Sequence, residues 1–309
     1  MREAQGPPGI PETYRCGYVG LIGRPNVGKS TLLNLLIGQK LSIVSAKPQT
    51  TRQQIAGIKT TPEGQVVYLD TPGIHLAANR ALNRYMNRIA RAALSGVNVI
   101  LFLIEAGRWT REDEHAMLAI TGAGVPVILV VNKVDRVAEK TRLLTFLHDK
   151  VDTSRFAHVM LISARAGDGV GDLENRIMEL LPFSRALHDE DQFTDRSERF
   201  LAAEFIREQL MLRLNQELPY AMTVEIEEFK RDPGLLRIGA IIWVERESQK
   251  HIVIGKGGQV LKQAGSRART ELEALFECKV FLRTWVKVSA DWSDDEKSLK
   301  QLGFDAFEV

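Results

Sequence analysis

The run Gly23-Arg24-Pro25-Asn26-Val27-Gly28-Lys29-Ser30 fits the pattern G-x-x-x-x-G-K-[ST], and its reading decides the architecture of the first half of the chain. It follows an apolar strand-like run at 18–22 and opens an amphipathic stretch, Lys29–Ile37, that stops before Gly38. Strand, glycine-rich turn and helix in that order make a phosphate cradle. Main-chain N–H groups turn inward, and the helix N-terminus adds partial positive charge. In such a cradle Lys29 reaches the β- and γ-phosphates of a nucleotide and the Ser30 hydroxyl ligates Mg²⁺; Thr31 extends the contact set into the first helical turn.

Outward from this turn, apolar runs at 66–69, 97–104, 127–131 and 159–162 alternate with helix-period segments. Fully apolar strands interleaved with helices predict an α/β domain, a mostly parallel six-stranded sheet covered on both faces, with 53–59 as one antiparallel strand. The strand ends carry polar motifs in a fixed order. Asp70-Thr71-Pro72-Gly73 offers a carboxylate to hold Mg²⁺ through water and a main-chain N–H for the γ-phosphate. Asn132-Lys133-Val134-Asp135 offers a carboxylate that accepts two hydrogen bonds from guanine N1–H and the 2-amino group. Adenine lacks that donor pair, and a site left with an unpaired acceptor rejects it strongly. Ser163-Ala164 closes the next strand and offers main-chain N–H to guanine O6. The set implies GTP and GDP with Mg²⁺, and excludes an adenine-specific site.

The polar stretch Pro48-Gln49-Thr50-Thr51-Arg52 lies between the first two motifs. A threonine there binds Mg²⁺ and the γ-phosphate in the triphosphate state and lets go after hydrolysis, an order–disorder switch. Thr51 is the expected ligand and Thr50 its neighbour. Lys29, Thr51 and Gly73 are then the groups that act on the transferred phosphoryl. Ile74 follows Gly73 where a glutamine would orient water. Isoleucine cannot do so, so turnover is expected to be slow or to use another group, for which K⁺ held near Asn26 is a candidate.

The polar segment 183–197 opens after Pro182, lacks periodicity and reads as a linker, with Asp195 and Glu198 in capping-box spacing ahead of a helical run. The order helix, strand, strand, helix, helix, strand follows, and a Gly255-Lys256-Gly257-Gly258 loop joins the last two helices. That describes a smaller α+β KH domain of type II, whose glycine loop clamps the backbone of single-stranded RNA. Lys250, Lys256 and Lys262 supply charge, while Ile252 and Ile254 either line a groove for bases or pack in the core. The division is a tail at 1–13, a nucleotide domain at 14–182, the linker, an RNA module at 198–290 and an acidic tail at 291–309.

Net charge over the 309 residues is only +2, so the average points to no partner. Its distribution does: residues 230–290 hold twelve Lys or Arg against six Asp or Glu, and 291–309 reverses the sign. Whether that acidic tail folds back or stays solvated is open at this level. The two cysteines, Cys16 and Cys278, lack metal-ligand spacing and read as reduced, buried thiols. No apolar run approaches a membrane span and the N-terminus lacks a signal-peptide core, so the expected compartment is the cytoplasm.

GRPNVGKS, PQTTR, DTPGI, NKVD and SA, followed by a module with HIVIGKGG and WVKV, resemble the Era family of bacterial GTPases from about residue 14 to 303. The resemblance implies a monomer that assists 30S subunit assembly and ribosomal RNA maturation. It further implies binding of single-stranded RNA near the 3′ end of small-subunit ribosomal RNA, tied to the GTP state, and peripheral association with the inner face of the membrane. Ile74 matches a hydrophobic residue of that family. The competing class is a GTP-dependent membrane-associated switch whose C-terminal module binds protein or lipid headgroups.

Overall fold

The computed structural model describes residues 13–45, 47, 49–73, 80–215 and 218–304. They divide into two units, 1–42 with 51–77 and 86–195, and 43–50 with 78–85 and 196–309.

In the first unit the strands are β1 (Arg15–Ile22), β2 (Ile55–Thr61), β3 (Gly64–Asp70), β4 (Val99–Glu105), β5 (Val127–Asn132) and β6 (His158–Leu161). They form one sheet in the order β2-β3-β1-β4-β5-β6, with β2 antiparallel to β3 and every other pairing parallel. Leu101, Phe102, Leu103 and Ile104 are all buried although they alternate in direction, as a sheet covered on both faces requires. The helices are α1 (Lys29–Ile37), α2 (Ala81–Ala92, of which only 86–92 count in this unit), α3 (Arg111–Ile120), α4 (Lys140–Lys150) and α5 (Val170–Leu180). Thr110 caps α3 by accepting from the Asp113 N–H while the Asp113 carboxylate accepts from Thr110 N–H.

The stretch read as a linker is partly structural. Ile58 N–H donates to Phe193 O (3.0 Å), Thr194 Oγ1 to Ala56 O (2.8 Å), and Ala56 N–H to Asp195 Oδ1 (3.1 Å). Residues 193–195 thus cover the open edge of β2, whose unpaired main-chain groups need partners. Their polarity satisfies a strand edge instead of marking free chain. Asp195 is therefore not the helix cap; Ser197 is, accepting from Phe200 N–H.

The second unit has helices α6 (Glu198–Arg213), α7 (Glu247–Ile254), α8 (Gln259–Phe276) and α9 (Glu296–Gln301), and strands β7 (Met222–Asp232), β8 (Leu235–Val244) and β9 (Lys279–Val288). The sheet order is β7-β8-β9, with β7 antiparallel and β9 parallel to β8. Leu210, Phe205, Ile238, Ile242, Ala268 and Leu272 pack between α6, α8 and one face of this sheet. The acidic tail is folded over 291–304: Trp292 is fully buried, donates Nε1–H to Ala221 O (3.2 Å) and stacks on Phe304, while 305–309 lie outside the described residues. Cys16 is buried, Cys278 only half-buried, and both are free thiols. Among the described residues no helix is long and apolar enough to cross a membrane.

Candidate functional site

The polar motifs meet at the C-terminal ends of the first sheet's parallel strands, where such sheets bind ligands. Asp70 ends β3 fully buried. Three hydroxyls converge on its Oδ2: Ser30 Oγ at 2.7 Å, Ser42 Oγ at 2.8 Å and Thr51 Oγ1 at 3.3 Å; Ser30 and Thr51 are themselves 2.9 Å apart. The second oxygen, Oδ1, is buried and has no hydrogen-bond partner among the described residues. Burial raises the Asp70 carboxyl above the usual range, against the opposing pull of Lys29 and the hydroxyls. A buried carboxylate with one bare oxygen, ringed by hydroxyl oxygens, suits a small hard cation such as Mg²⁺.

Lys29 is buried beside it, donating from Nζ to Gly23 O (3.0 Å) and Arg24 O (3.1 Å). Burial lowers its pKa to about 8, with Asp70 acting the other way and Arg24 adding to the fall. A cation held under carbonyls and short of counter-charge is primed for an anion. The cradle depends on Gly28, at φ +104° and so close to Asn132 that a Cβ would lie 2.3 Å from its Nδ2. Asn26 also sits in the left-handed region, at φ 63°. Gly73 backs onto Pro25. Thr71 turns inward and donates to Leu21 O (2.8 Å), which fixes β3 against β1. Ile74 lies outside the described residues.

On the base side Asn132 donates Nδ2–H to Val27 O (2.8 Å), while its Oδ1 accepts from Lys133 N–H (2.8 Å) and Ala164 N–H (2.9 Å). Val134 N–H donates to Ile162 O. Asp135 accepts from Ser163 Oγ (2.7 Å) and remains exposed. The structure therefore brings Gly23–Ser30, Thr51, Asp70, Asn132, Asp135 and Ser163-Ala164 to one end of one sheet. Thr50 belongs to the second unit, its hydroxyl on Ser45 and Lys47 O.

Three contributors escape a reading by motif. Ser42 is presented to Asp70 by Asn34 of α1, which accepts from the N–H groups of Leu41 and Ser42 (both 2.9 Å) and donates to Ser42 O. Glu105 and Asp113 clamp Arg24: Nη2 meets Glu105 Oε2 at 2.9 Å and Nε meets Asp113 Oδ2 at 3.1 Å. Lys133 Nζ reaches the same Glu105 oxygen at 3.3 Å. Burial alone would raise the Glu105 carboxyl, yet Arg24 and Lys133 hold it below the usual range. No pattern announces these residues, because each acts on a loop and not on a ligand.

In the second unit a 3-10 turn, Lys256–Gly258, links α7 to α8. Gly255 stands at φ +75° with a would-be Cβ 2.4 Å from Val260 Cγ2, so no larger residue fits there. Gly258 and Lys262 line a cleft of about 490 Å³ together with Leu261, Arg269, Leu282 and Thr284. Ile252 is 56% exposed, outside that lining and outside the core; Val253 takes the buried position instead. Lys250 pairs with Glu247 at 3.5 Å.

A family model described as 50S ribosome-binding GTPase matches residues 18–133, and a KH-domain model matches 217–293. GTPase Era of Stenotrophomonas maltophilia is 56% identical over 292 residues, 94% of this chain and 98% of that protein. GTPase Era of Xanthomonas axonopodis pv. citri is 55% identical over 296 residues, 96% and 99% of the two chains. The solved structure of an Aquifex aeolicus Era variant bound to GDP and AlF4⁻ superposes with a TM-score of 0.91 at 39% identity, over 94% of this chain and all of that one. A structure of Era with MgGDPNP and nucleotides 1506–1542 of 16S ribosomal RNA gives the same TM-score and identity over 95% of this chain and all of that one. On identity sustained over nearly the full length of both sequences, the chain belongs to the Era family of GTPases.

Proposed function

We propose that the GTPase cycle of this chain serves assembly of the 30S ribosomal subunit, through binding of single-stranded small-subunit ribosomal RNA near its 3′ end. The observation that carries the nucleotide half is Asp70, a buried carboxylate with three hydroxyls on one oxygen, a bare second oxygen and Lys29 beside it. Ser30, Thr51 and Asp70 would hold Mg²⁺ in this reading, and the ion would supply charge against the β- and γ-phosphates. Residues 23–31, Pro25 apart, turn their N–H groups to the phosphates. Lys29 moves from its carbonyl partners to the β- and γ-phosphates, and the Gly73 N–H fixes the γ-phosphate. Asp135, braced by Ser163, accepts from guanine, and the Ala164 region meets O6. K⁺ held near Asn26 would supply the charge that an arginine finger would otherwise provide.

For RNA, the loop 255–258 with Lys250, Lys256 and Lys262 grips the phosphates, Ile252 offers an apolar contact beside it, and Ile254 backs it. The adjoining cleft, with Arg269 and Thr284, receives bases. Support comes from the relative solved with 16S ribosomal RNA nucleotides. The nucleotide domain is read as 14–195, the edge-covering residues included, and the RNA module as 196–304. In this reading the chain works in the cytoplasm as a monomer, and its contact with the inner membrane face is peripheral. Crosslinking of cellular RNA with and without a non-hydrolysable GTP analogue tests the reading. Recovery of small-subunit 3′ sequence, lost in the Gly255→Asp, Gly258→Asp variant, is expected. Crosslinks to no ribosomal RNA would overturn it.

A further inference from the structure

The sheet β7-β8-β9 packs its helices on one face, and its other face carries a regular array. Successive side chains of a strand point to opposite sides. On β9, Val280, Leu282, Val286 and Val288 pack against the core. The outward row is Lys279, Phe281, Arg283, Trp285 and Lys287, cation and aromatic in strict alternation. The neighbouring strand adds Arg237 opposite Phe281 and Trp243 opposite Lys287. Each ring is next to a cation: Arg237 lies 5.7 Å from the Phe281 ring, Arg283 5.2 Å from Trp285, and Lys287 5.7 Å from Trp243. Phe281 is 45% exposed, and Arg283 has no carboxylate partner among the described residues.

A merely protective role does not require this composition. Acids on this face belong to β7: Glu225 accepts from Trp243 Nε1, Glu227 is 4.0 Å from Lys287, Glu228 lies two strands away across Gly239 from Arg283, and Asp232 pairs with Arg237. They leave the β9 margin, an edge strand about 27 Å long over this row, positive and aromatic. Alternating rings and cations along an extended line match a polyanion whose repeating unit also carries a flat base, and stacking on such rings tolerates any base sequence. Meanwhile Leu282 and Thr284, the inward neighbours of Phe281 and Arg283, line the cleft beside Gly258. One strand therefore separates the two faces.

We propose that the outward row of β9 is a second, sequence-tolerant binding surface for single-stranded RNA, engaged by nucleotides that run past the cleft. It rests on the reading of this module as RNA-binding, and its failure is separable from failure of that reading. The experiment uses the full chain, fluorescence anisotropy and two probes, a 6-nucleotide and a 24-nucleotide oligouridylate, at several salt concentrations. Arg283→Glu and Phe281→Ala should each weaken the long probe about tenfold. Arg283→Glu should also lower the slope of log affinity against log salt by about one. Binding of the short probe and of GTP should be unchanged, and Arg283→Lys should restore the long probe. Gly255→Asp with Gly258→Asp should do the converse, abolishing the short probe while a length-dependent component for the long one persists. In that double variant the long probe should still quench tryptophan emission, and Trp285→Phe should remove the quenching even if Phe281→Ala fails to fold. Unchanged affinity and salt slope for the long probe in Arg283→Glu would overturn the proposal, as would loss of a protein partner with RNA binding intact.

Discussion

Arg24 and Asp113 meet at 3.1 Å, Nε to Oδ2, with Asp113 wholly shielded from solvent. The guanidinium is clasped from its other side by Glu105, and the main-chain oxygen of Arg24 is one of the two that hold Lys29. A helix cap residue thereby sets the shape of the phosphate cradle. Asp113→Asn keeps the size of the side chain and removes its charge, leaving the buried Arg24 guanidinium to Glu105. A loss of about 2 kcal/mol in urea denaturation is expected, with GDP released about tenfold faster in stopped-flow fluorescence. Unaltered release would show that the clamp stabilises the fold without shaping the cradle.

Asp135 is fixed by one hydrogen bond from Ser163 and otherwise exposed. Replacing the carboxylate by an amide reverses the polarity that guanine needs. Asp135→Asn should lose GTP affinity by about a hundredfold, roughly 3 kcal/mol, and gain xanthosine triphosphate. Competition calorimetry with both nucleotides decides this, and equal discrimination in variant and parent would reject the role.

Ser30 and Ser42 both donate to Asp70 Oδ2 at nearly equal distance, yet only Ser30 sits in the cradle. Ser30→Ala should raise the Mg²⁺ concentration needed for half-maximal hydrolysis at least about tenfold. Ser42→Ala should leave that requirement close to the parent's and cost about 1 kcal/mol of stability, the worth of one buried hydrogen bond. A Mg²⁺ titration of the two variants separates ligand from brace, and identical curves would erase the distinction.

Lys29 has its pKa lowered to about 8 from 10.5, chiefly by burial. Between those values the unfolded chain binds more protons than the folded one, so nucleotide-free protein gains stability as pH rises through that window. Below pH 8 both states hold the proton and the cost of burying the charge is constant. Thermal unfolding of parent and Lys29→Met from pH 7 to 10 should show the parent improving relative to the variant. A gap independent of pH would contradict the assignment.

Much of the nucleotide site is legible in the sequence because phosphate and base contacts demand particular residues at strand ends. Lys29, Asp70, Asn132 and Asp135 announce themselves through motif and order, and all lie at one edge of the sheet. Ser42 does not, since a serine between Leu41 and Ile43 gains its meaning only from Asn34 eight residues earlier. Glu105 and Asp113 follow an ordinary strand and open an ordinary helix; their contact with Arg24 is created by tertiary packing. Residues 193–195 mislead for a related reason: polar side chains that serve a strand edge have the same composition as free linker. In the second unit the glycine turn is readable, but the cleft beside it takes Arg269 from α8 and Thr284 from β9, which no motif marks.

Asn132 ties the carbonyl of Val27 to the N–H of Ala164 through a single amide group. In the proposed reading, the loop that meets the phosphates and the loop that meets guanine are thus tied together by one side chain. A nucleotide that keeps guanine and three phosphates but lengthens the link between them should bind more weakly than GTP.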